Sequence, residues 1–600
     1  MRTGATVAAL FTTPKRNDTT AGTHVAEPDV RRRIGLAHGS WRRVTRRIVV
    51  GAVCALTVSS LLMPSVSLAA EWVKVGGNKY NTAASDEAGT WSWDGADDLK
   101  LNNYNGGEIQ AAGKLNVNYS ETNIVTAEWI ESINVSHGTN ENAELNIQGD
   151  EGGTLSVTST EDAILSTGNI NIDGAGSVNA TSTGFDAINA GGDLAIKGSG
   201  NVNATGASDG IRANGNITID DSGAVTARAT KDKGIGTDKN LTIKGGGTVE
   251  ASSADGEALW SGGNINISDG SQVKASSKKD AAVEAKGSLA ATNASLNVNG
   301  VEYGVYAHGG ITLDHANVTV RASKGRYGGA NALFTYQDDI VVKNGSTVDA
   351  FAEGEVSAAF STRNDRPNEK GGHIYISDSV VKAIARYVEN GDGPIPYSEN
   401  QDGETRREPQ GENIGIIAQT SEGVTPAVIS IIRSKVTAEG DTAAIFARAM
   451  SADGKTIGTI KIENAAIQTP EGGKVIDYRK LRDGIYEAGQ AISTGDATVD
   501  SLYIKAVAKS TTIAPPEVAK PEDPKPDETK PAESKPAESK QNPKPESSKP
   551  TKAVAASTTK AKTTGVLAAT GDTSGAAIVA TVLAGTAAIA AGTMVSRKRS

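Results

Sequence analysis

From Leu145 to Leu313 the chain keeps returning to one arrangement of apolar and polar positions: a pair of apolar residues, two apart, behind a Gly/Asn turn. The pairs are Leu145/Ile147, Ile170/Ile172, Leu194/Ile196, Ile217/Ile219, Leu241/Ile243, Ile265/Ile267, Leu289/Ala291 and Ile311/Leu313, separated by 25, 24, 23, 24, 24, 24 and 22 residues. Self-similarity at one period marks a repeat architecture, in which a single unit cannot bury its apolar face but a stack of units can. Inside a unit, three short segments such as "GIRA" (210–213), "NITI" (216–219) and "AVTARA" (224–229) alternate with a period of two between Gly, Asn and Asp. That alternation predicts short strands, and helix formers at helical spacing are missing.

The inward positions recur from unit to unit. Ile188, Ile211, Ile235, Leu259 and Val283 make one column, and Ala190, Ala213 and Thr237 a second. Val178, Val202, Val225, Val249 and Val273 make a third, and Ala180, Ala204, Ala227, Ala251 and Ala275 a fourth. Three strands per turn with repeating columns predict an all-β chain, a parallel, right-handed β-helix of roughly 24-residue coils. Neighbouring coils then lie about 4.8 Å apart. A β-propeller is the rival, but its blades need about forty residues and four strands each. Beyond Leu313 the pairs Ile340/Val342, Ile374/Ile376, Ile429/Ile431 and Ile460/Ile462 predict further coils, with insertions near 361–372 and 387–412.

The two ends read as addresses. Arginines from Arg42, an apolar stretch from Ile48 to about Met63, and small residues at Ser67 and Ala69 form a secretory signal peptide with cleavage after Ala69 or Ala70. At the other end, an apolar run from Gly575 to Val595 precedes Arg597, Lys598 and Arg599, the pattern of a hydrophobic helix that stops in a membrane. Directly before it, Leu567, Ala568, Ala569, Thr570 and Gly571 resemble the LAxTG sorting signal of Gram-positive wall proteins, the form associated with class E sortases of high-GC bacteria. The resemblance implies cleavage between Thr570 and Gly571 and transfer of the Thr570 carbonyl to an amine of peptidoglycan or pilin. Residues 508–564 are rich in Pro, Lys and Glu, as in "PPEVAKPEDPKPDETKPAESKPAESKQNPKPESSKP", and predict a disordered, extended spacer across the wall. The expected order is a leader (1–70), an N-terminal cap with the first coils (71–140), the β-helix (141–507), the linker (508–564) and the sorting signal (567–600). The expected location is the cell wall of a Gram-positive, high-GC bacterium, facing outward.

Charge narrows the partners. The leader contributes +7 to a net charge of −10, so the exported part stands near −17 and repels nucleic acid. The only cysteine, Cys54, leaves with the leader, and with it any disulfide or thiol chemistry of the mature chain. The expected state is a monomer.

The units "EDAILSTGNINID", "FDAINAGGDLAIK" and "SDGIRANGNITID" resemble those of bacterial cell-surface carbohydrate-binding β-helix proteins, non-catalytic and similar in fold to pectate lyases. The resemblance covers roughly residues 140–350. It implies binding of plant-type polysaccharide and Ca²⁺ held by acidic residues at coil edges. Independently of it, Asp162, Asp186, Asp209, Lys233 and Glu257 share one register, eight residues before the aligned apolar position. Like charges about 5 Å apart repel by about 1 kcal/mol in water and more near a protein surface, so compensation is needed. Ca²⁺ on Asp162, Asp186, Asp209 and Glu257 is one form of it. Solvated, turn-forming aspartates with Lys233 as a neutralising neighbour are the other.

A second column faces outward: Leu165, Asn189, Arg212, Gly236, Trp260, Glu284, Tyr306. Trp260 and Tyr306, two coils apart with Glu284 between them, suit a polysaccharide, whose sugar faces are apolar and whose rims are hydroxyls. The bland alternative is that both rings fill gaps over the coil surface. Trp72, Trp91, Trp93 and Trp129 precede the repeats and are expected to shield the first coil. His308 and His315 are expected on different strands of one coil, and Arg212 or Arg228 would have to serve as base in a lyase. The expected function is non-catalytic binding of an extracellular polysaccharide or glycoprotein glycan. The alternatives left open are a β-helix polysaccharide lyase or glycosidase, and a protein-binding adhesin or structural stalk.

Overall fold

A computed structural model describes residues 69–127, 133–136, 143–323, 328–366, 371–388, 412–482, 485–495 and 507–516. Trp129, His137, the linker beyond 516 and the sorting signal lie outside the described residues. Among the described residues every regular element is a β-strand, and these fall into three long sheets of 17, 16 and 15 strands.

The three sheets interleave along the chain. Ile188–Ala190 belongs to the 17-stranded sheet, Leu194–Lys197 to the 16-stranded sheet and Val202–Gly206 to the 15-stranded sheet, and Ile211–Ala213 then returns to the first of these. Each strand pairs in parallel with the strand three further along, as Ile188 with Ile211, Leu194 with Ile217 and Val202 with Val225. This is the connectivity that a parallel β-helix requires. All eight apolar pairs read from the sequence meet in register, from Leu145 opposite Ile170 to Leu289 opposite Ile311. The later pairs continue the ladder: Ile311 opposite Ile340, Ile374, Ile429 and Ile460 in turn. Parallel pairing already begins at Asp98–Asn102 with Lys114–Ser120. The strands flanking the expected insertions keep this register, as Ile340 opposite Ile374 and Ile374 opposite Ile429; residues 361–364 of the first belong to the strand Val356–Asn364, and 367–370 and 389–411 lie outside the described residues.

Strand alternation makes the core. Ile188, Ile211, Ile235, Leu259, Val283 and the Val178-to-Val273 column are all buried. Where a polar residue enters an inward column, the neighbouring coil satisfies it. The buried Thr237 hydroxyl donates to the Gly215 carbonyl, and the Ser261 hydroxyl donates to the Lys239 carbonyl at 2.6 Å. Such pairing removes most of the cost of burying a hydroxyl.

The Asn/Asp at the turn before the 16-stranded sheet has its own ladder. The side-chain oxygens of Asn169, Asp193, Asn216, Asn240 and Asn264 each accept the backbone N–H of the corresponding residue one coil on, at 2.6–3.3 Å. A backbone donor at a turn has no strand partner, so the side chain supplies one. Asn240→Ala is expected to cost about 1 kcal/mol, since it strands the Asn264 N–H, and a urea midpoint comparison measures it.

At each end two of the three sheets reverse direction. At the start, Val73–Val75 pairs antiparallel with Asn78–Tyr80 and with Ile109–Ala112, and Trp91–Trp93 pairs antiparallel with Asp98–Asn102. Trp91 and Trp93 are buried there, and the Lys79 ammonium lies 4.2 Å from the centre of the Trp72 ring. At the finish, Ala443–Ser451 pairs antiparallel with Ile485–Ile492, which pairs in turn with Val475–Arg482. Ser510–Ala514, at the start of the segment that the sequence assigns to the spacer, is instead the last strand, antiparallel between Lys435–Gly440 and Ala466–Thr469. Its Ile513 is fully buried, so the linker begins after it.

Candidate functional site

The outward residues of the 17-stranded sheet form one column: Leu165, Asn189, Arg212, Gly236, Trp260, Glu284, Tyr306 and Phe334 lie opposite one another in that order. Trp260, Glu284 and Tyr306 therefore sit on three adjacent strands, as their spacing suggests. The strands from Ile164–Ser166 to Val283–Ala285 are three residues long with their flanking residues inward, and Tyr306 lies between the buried Val305 and Ala307, so each of these middle side chains has only the outer face available.

The surroundings of the row are denser than the sequence implies. Trp260 and Tyr306 are half-buried, and Glu284 is only 8% exposed. At Gly236 a Cβ would lie 2.8 Å from Lys233 Cδ, so the Lys233 stem occupies that gap in the row. The stem carries its ammonium 5.3 Å from the centre of the Trp260 ring, while also pairing with Asp232. Tyr306 stacks on Tyr303 at 4.9 Å and on His308 at 4.5 Å, and Phe334 lies 5.2 Å from Tyr306. Three rings of this cluster, Tyr303, His308 and Phe334, are missed by a column count. Tyr303 and His308 flank the strand ends, and Phe334 follows an irregular step in coil length. Burial, helped by the Glu284 charge, pushes the Tyr306 hydroxyl up to about 12, so it stays protonated as a donor.

Glu284 is the electrostatic centre. Lys286 pairs with its carboxylate, and His308 Nε2 lies 3.5 Å from Glu284 Oε1. Glu257, one coil earlier, acts on its charge as well. Burial alone would raise Glu284, but His308, Lys286 and Glu257 outweigh it and hold it down at about 2. Glu257 is pushed up to about 7, first by burial and then by its contact with Glu284.

The acidic column has different partners from those a cation would need. Asp162 Oδ1 accepts the Asp186 N–H at 2.9 Å, Asp186 Oδ1 the Asp209 N–H at 2.8 Å, and Asp209 Oδ1 the Lys233 N–H at 2.5 Å. Asp162 also accepts from Asn189 Nδ2 at 3.0 Å, and Arg212 lies 3.9 Å from Asp209 while donating to Asp238 at 2.8 Å. Burial pushes the Asp209 carboxyl up to about 7 and raises Asp186 too. Backbone donors and retained protons thus offset the repulsion. One carboxylate per coil, already turned to a backbone N–H, does not fit Ca²⁺, which gathers six to eight oxygens at one point. Among the described residues, the one group of three carboxylates close enough to share an ion is Asp94, Asp97 and Asp98, in the N-terminal cap. There Asp94 Oδ1 accepts the N–H groups of Ala96 and Asp98 in a turn.

The remaining candidates separate. Arg228 faces outward on the 15-stranded sheet, where with Ser252, Lys274 and Asn299 it lines a shallow groove of about 270 Å³, away from the row. His308 belongs to the row, whereas His315 Nδ1 lies 3.0 Å from the Asn344 carbonyl oxygen at another turn. No family model matches the chain, and no curated protein and no solved structure matches it.

Proposed function

We propose that this chain is a wall-anchored surface protein of a Gram-positive bacterium, folded as a right-handed parallel β-helix, that binds carbohydrate without catalysis along the row Trp260, Glu284, Tyr306. The observation that carries the reading is the register of these three residues on adjacent parallel strands. Two strand spacings put the two rings about 10 Å apart. An extended polysaccharide advances by roughly one such spacing per sugar, so successive rings meet alternate sugars while Glu284 accepts from the hydroxyls between. Export and wall attachment rest on the leader, the LAxTG-type sequence and the basic stop.

Two features favour binding over bond cleavage. Glycosidases hold two carboxyl groups about 5 Å or more apart around the scissile bond, whereas Glu284 is 8% exposed and already engaged by Lys286 and His308. Arg212, the arginine proposed as a lyase base, is held between two carboxylates, 3.9 Å from Asp209 and 2.8 Å from Asp238.

A glycan array probed with the secreted chain, followed by calorimetry on the best ligand, tests the reading. Trp260→Ala and Tyr306→Ala are each expected to weaken binding about tenfold or more, with circular dichroism unchanged. Wild-type affinity in both variants would overturn the assignment. Release of unsaturated or reducing ends would move the chain to the lyase or glycosidase class.

A further inference from the structure

We infer that His373 is an acid-labile rung of the turn ladder: while its ring is neutral it ties the coil of Ile374–Ser377 to the coil of Val428–Ile432, and once the ring takes up a proton that tie is lost. The inference stands apart from the glycan reading, because it concerns a joint between two coils near the finish of the stack and not the row of Trp260, Glu284 and Tyr306.

Register places His373 in that ladder. It immediately precedes Ile374, as Asn240 precedes Leu241 and Asn264 precedes Ile265, so it holds the position that asparagine or aspartate fills in earlier coils. Its bonds are those of the ladder too. The His373 N–H donates to Asp339 Oδ1 of the coil before at 2.9 Å, and His373 Nδ1 accepts the Val428 N–H of the coil after at 3.1 Å. A backbone N–H can only donate, so Nδ1 presents a lone pair and the ring proton sits on Nε2.

Imidazole differs from the other rungs in what a proton does to it. An asparagine amide keeps its acceptor oxygen throughout the acid range, and a carboxyl that gains a proton still accepts through its carbonyl oxygen. A protonated imidazole has two N–H groups and no acceptor, so the Val428 N–H would face another donor at a site where His373 is only 8% exposed. Burial, the largest influence, holds the ring below its ordinary value, against Asp339 and Asp338 of the coil before, which favour the cation. On its own strand the His373 ring lies 5.9 Å from the Tyr375 ring, centre to centre, and burial raises the Tyr375 hydroxyl, which stays uncharged. Opening the joint returns the ring to its usual value of 6.5, so the tie is whole above that pH and is progressively lost as pH falls below it. The coils beyond the joint are those that finish in the reversed strands Ile485–Ile492 and Ser510–Ala514. Acid thus loosens the stack from its finish, on the side where the linker departs.

Hydrogen exchange of the full secreted chain, resolved to single amides and expressed as protection relative to free peptide at each pH, tests the joint. Protection of the Val428 N–H is expected to fall about tenfold between about pH 7.5 and about pH 5, while that of the Asn264 N–H, whose acceptor is the Asn240 amide, stays level. His373→Asn, which puts an acceptor oxygen back at the rung, is expected to keep Val428 protected across the whole range, and His373→Ala to leave it weakly protected throughout. Asp338 and Asp339 remain in both variants, so a fall that persists in His373→Asn assigns the effect to the carboxyls and overturns the inference. A second arm reads the ring itself: in chain carrying isotope-labelled histidine, the ring nitrogen shifts at about pH 7.5 are expected to show the His373 proton on Nε2. A proton on Nδ1 there, a level Val428 profile in the wild type, or a parallel fall at Asn264 overturns it as well.

Discussion

Gly206→Ser destabilises this protein by about 3 kcal/mol or more, although serine is the natural residue at the same register two and three coils later. Gly206 lies opposite Ala229, which lies opposite Ser253 and then Ser277. At those positions four residue steps separate the strand end from the acidic column, as from Ser253 to Glu257. From Gly206 to Asp209 there are three, and the shorter turn folds back on itself. A Cβ on Gly206 would stand 1.8 Å from the Asp209 carbonyl oxygen and 2.7 Å from its carbon. These are backbone atoms, held by the Ala187 N–H and by the ladder on both sides, so no rotamer change relieves the clash. The variant should show a lowered urea midpoint. Adding one glycine between Ala207 and Ser208, to restore the longer turn, should return most of the loss. Full stability in Gly206→Ser alone would show that the turn is not the constraint.

Asp209→Asn is expected to stabilise the protein above neutral pH and to change little near pH 4. The Asp209 carboxyl is 3% exposed and sits at about 7 in the fold, mainly through burial, against 3.8 for the free side chain. Between those values the folded chain holds a proton that the unfolded chain has released. Stability therefore falls as pH rises from about 4 to about 7, and the full cost is present above that. That cost is on the order of a few kcal/mol. Asparagine keeps the oxygen that accepts the Lys233 N–H and has no charge to desolvate. Urea melts of both chains from pH 4 to pH 8 should diverge steadily; parallel curves would sink the argument.

The repeat was legible in the sequence because its cause is local. Strand alternation and turn residues recur in every coil, so columns such as Ile188, Ile211 and Ile235 are found by counting. The row Trp260, Glu284, Tyr306 is legible for the same reason. The partners of that row are less so. Tyr303 and His308 stack on Tyr306 from beside the column rather than within it, and Phe334 arrives only after the step from Ile311 to Ile340 lengthens. The acidic column shows the limit of reading charge alone: counting gives the repulsion, but the N–H groups that relieve it belong to the backbone and carry no letter. The reversed strands at the ends also escape a method built on periodicity.

Those reversed strands have a consequence for size. A pile of identical parallel rungs has no intrinsic stopping point, and its last edge would template a further strand from any neighbouring molecule. Here the 17-stranded sheet ends on strands that run against the ladder at both ends, the 16-stranded sheet at its start and the 15-stranded sheet at its finish, so an identical coil arriving at those edges meets the wrong hydrogen-bond spacing. Where the pile stops is thus encoded apart from the units that fill it. Whole coils can be gained or lost in the middle, moving the row of Trp260, Glu284 and Tyr306 nearer to or farther from either end of the stack, while those reversed strands stay as they are.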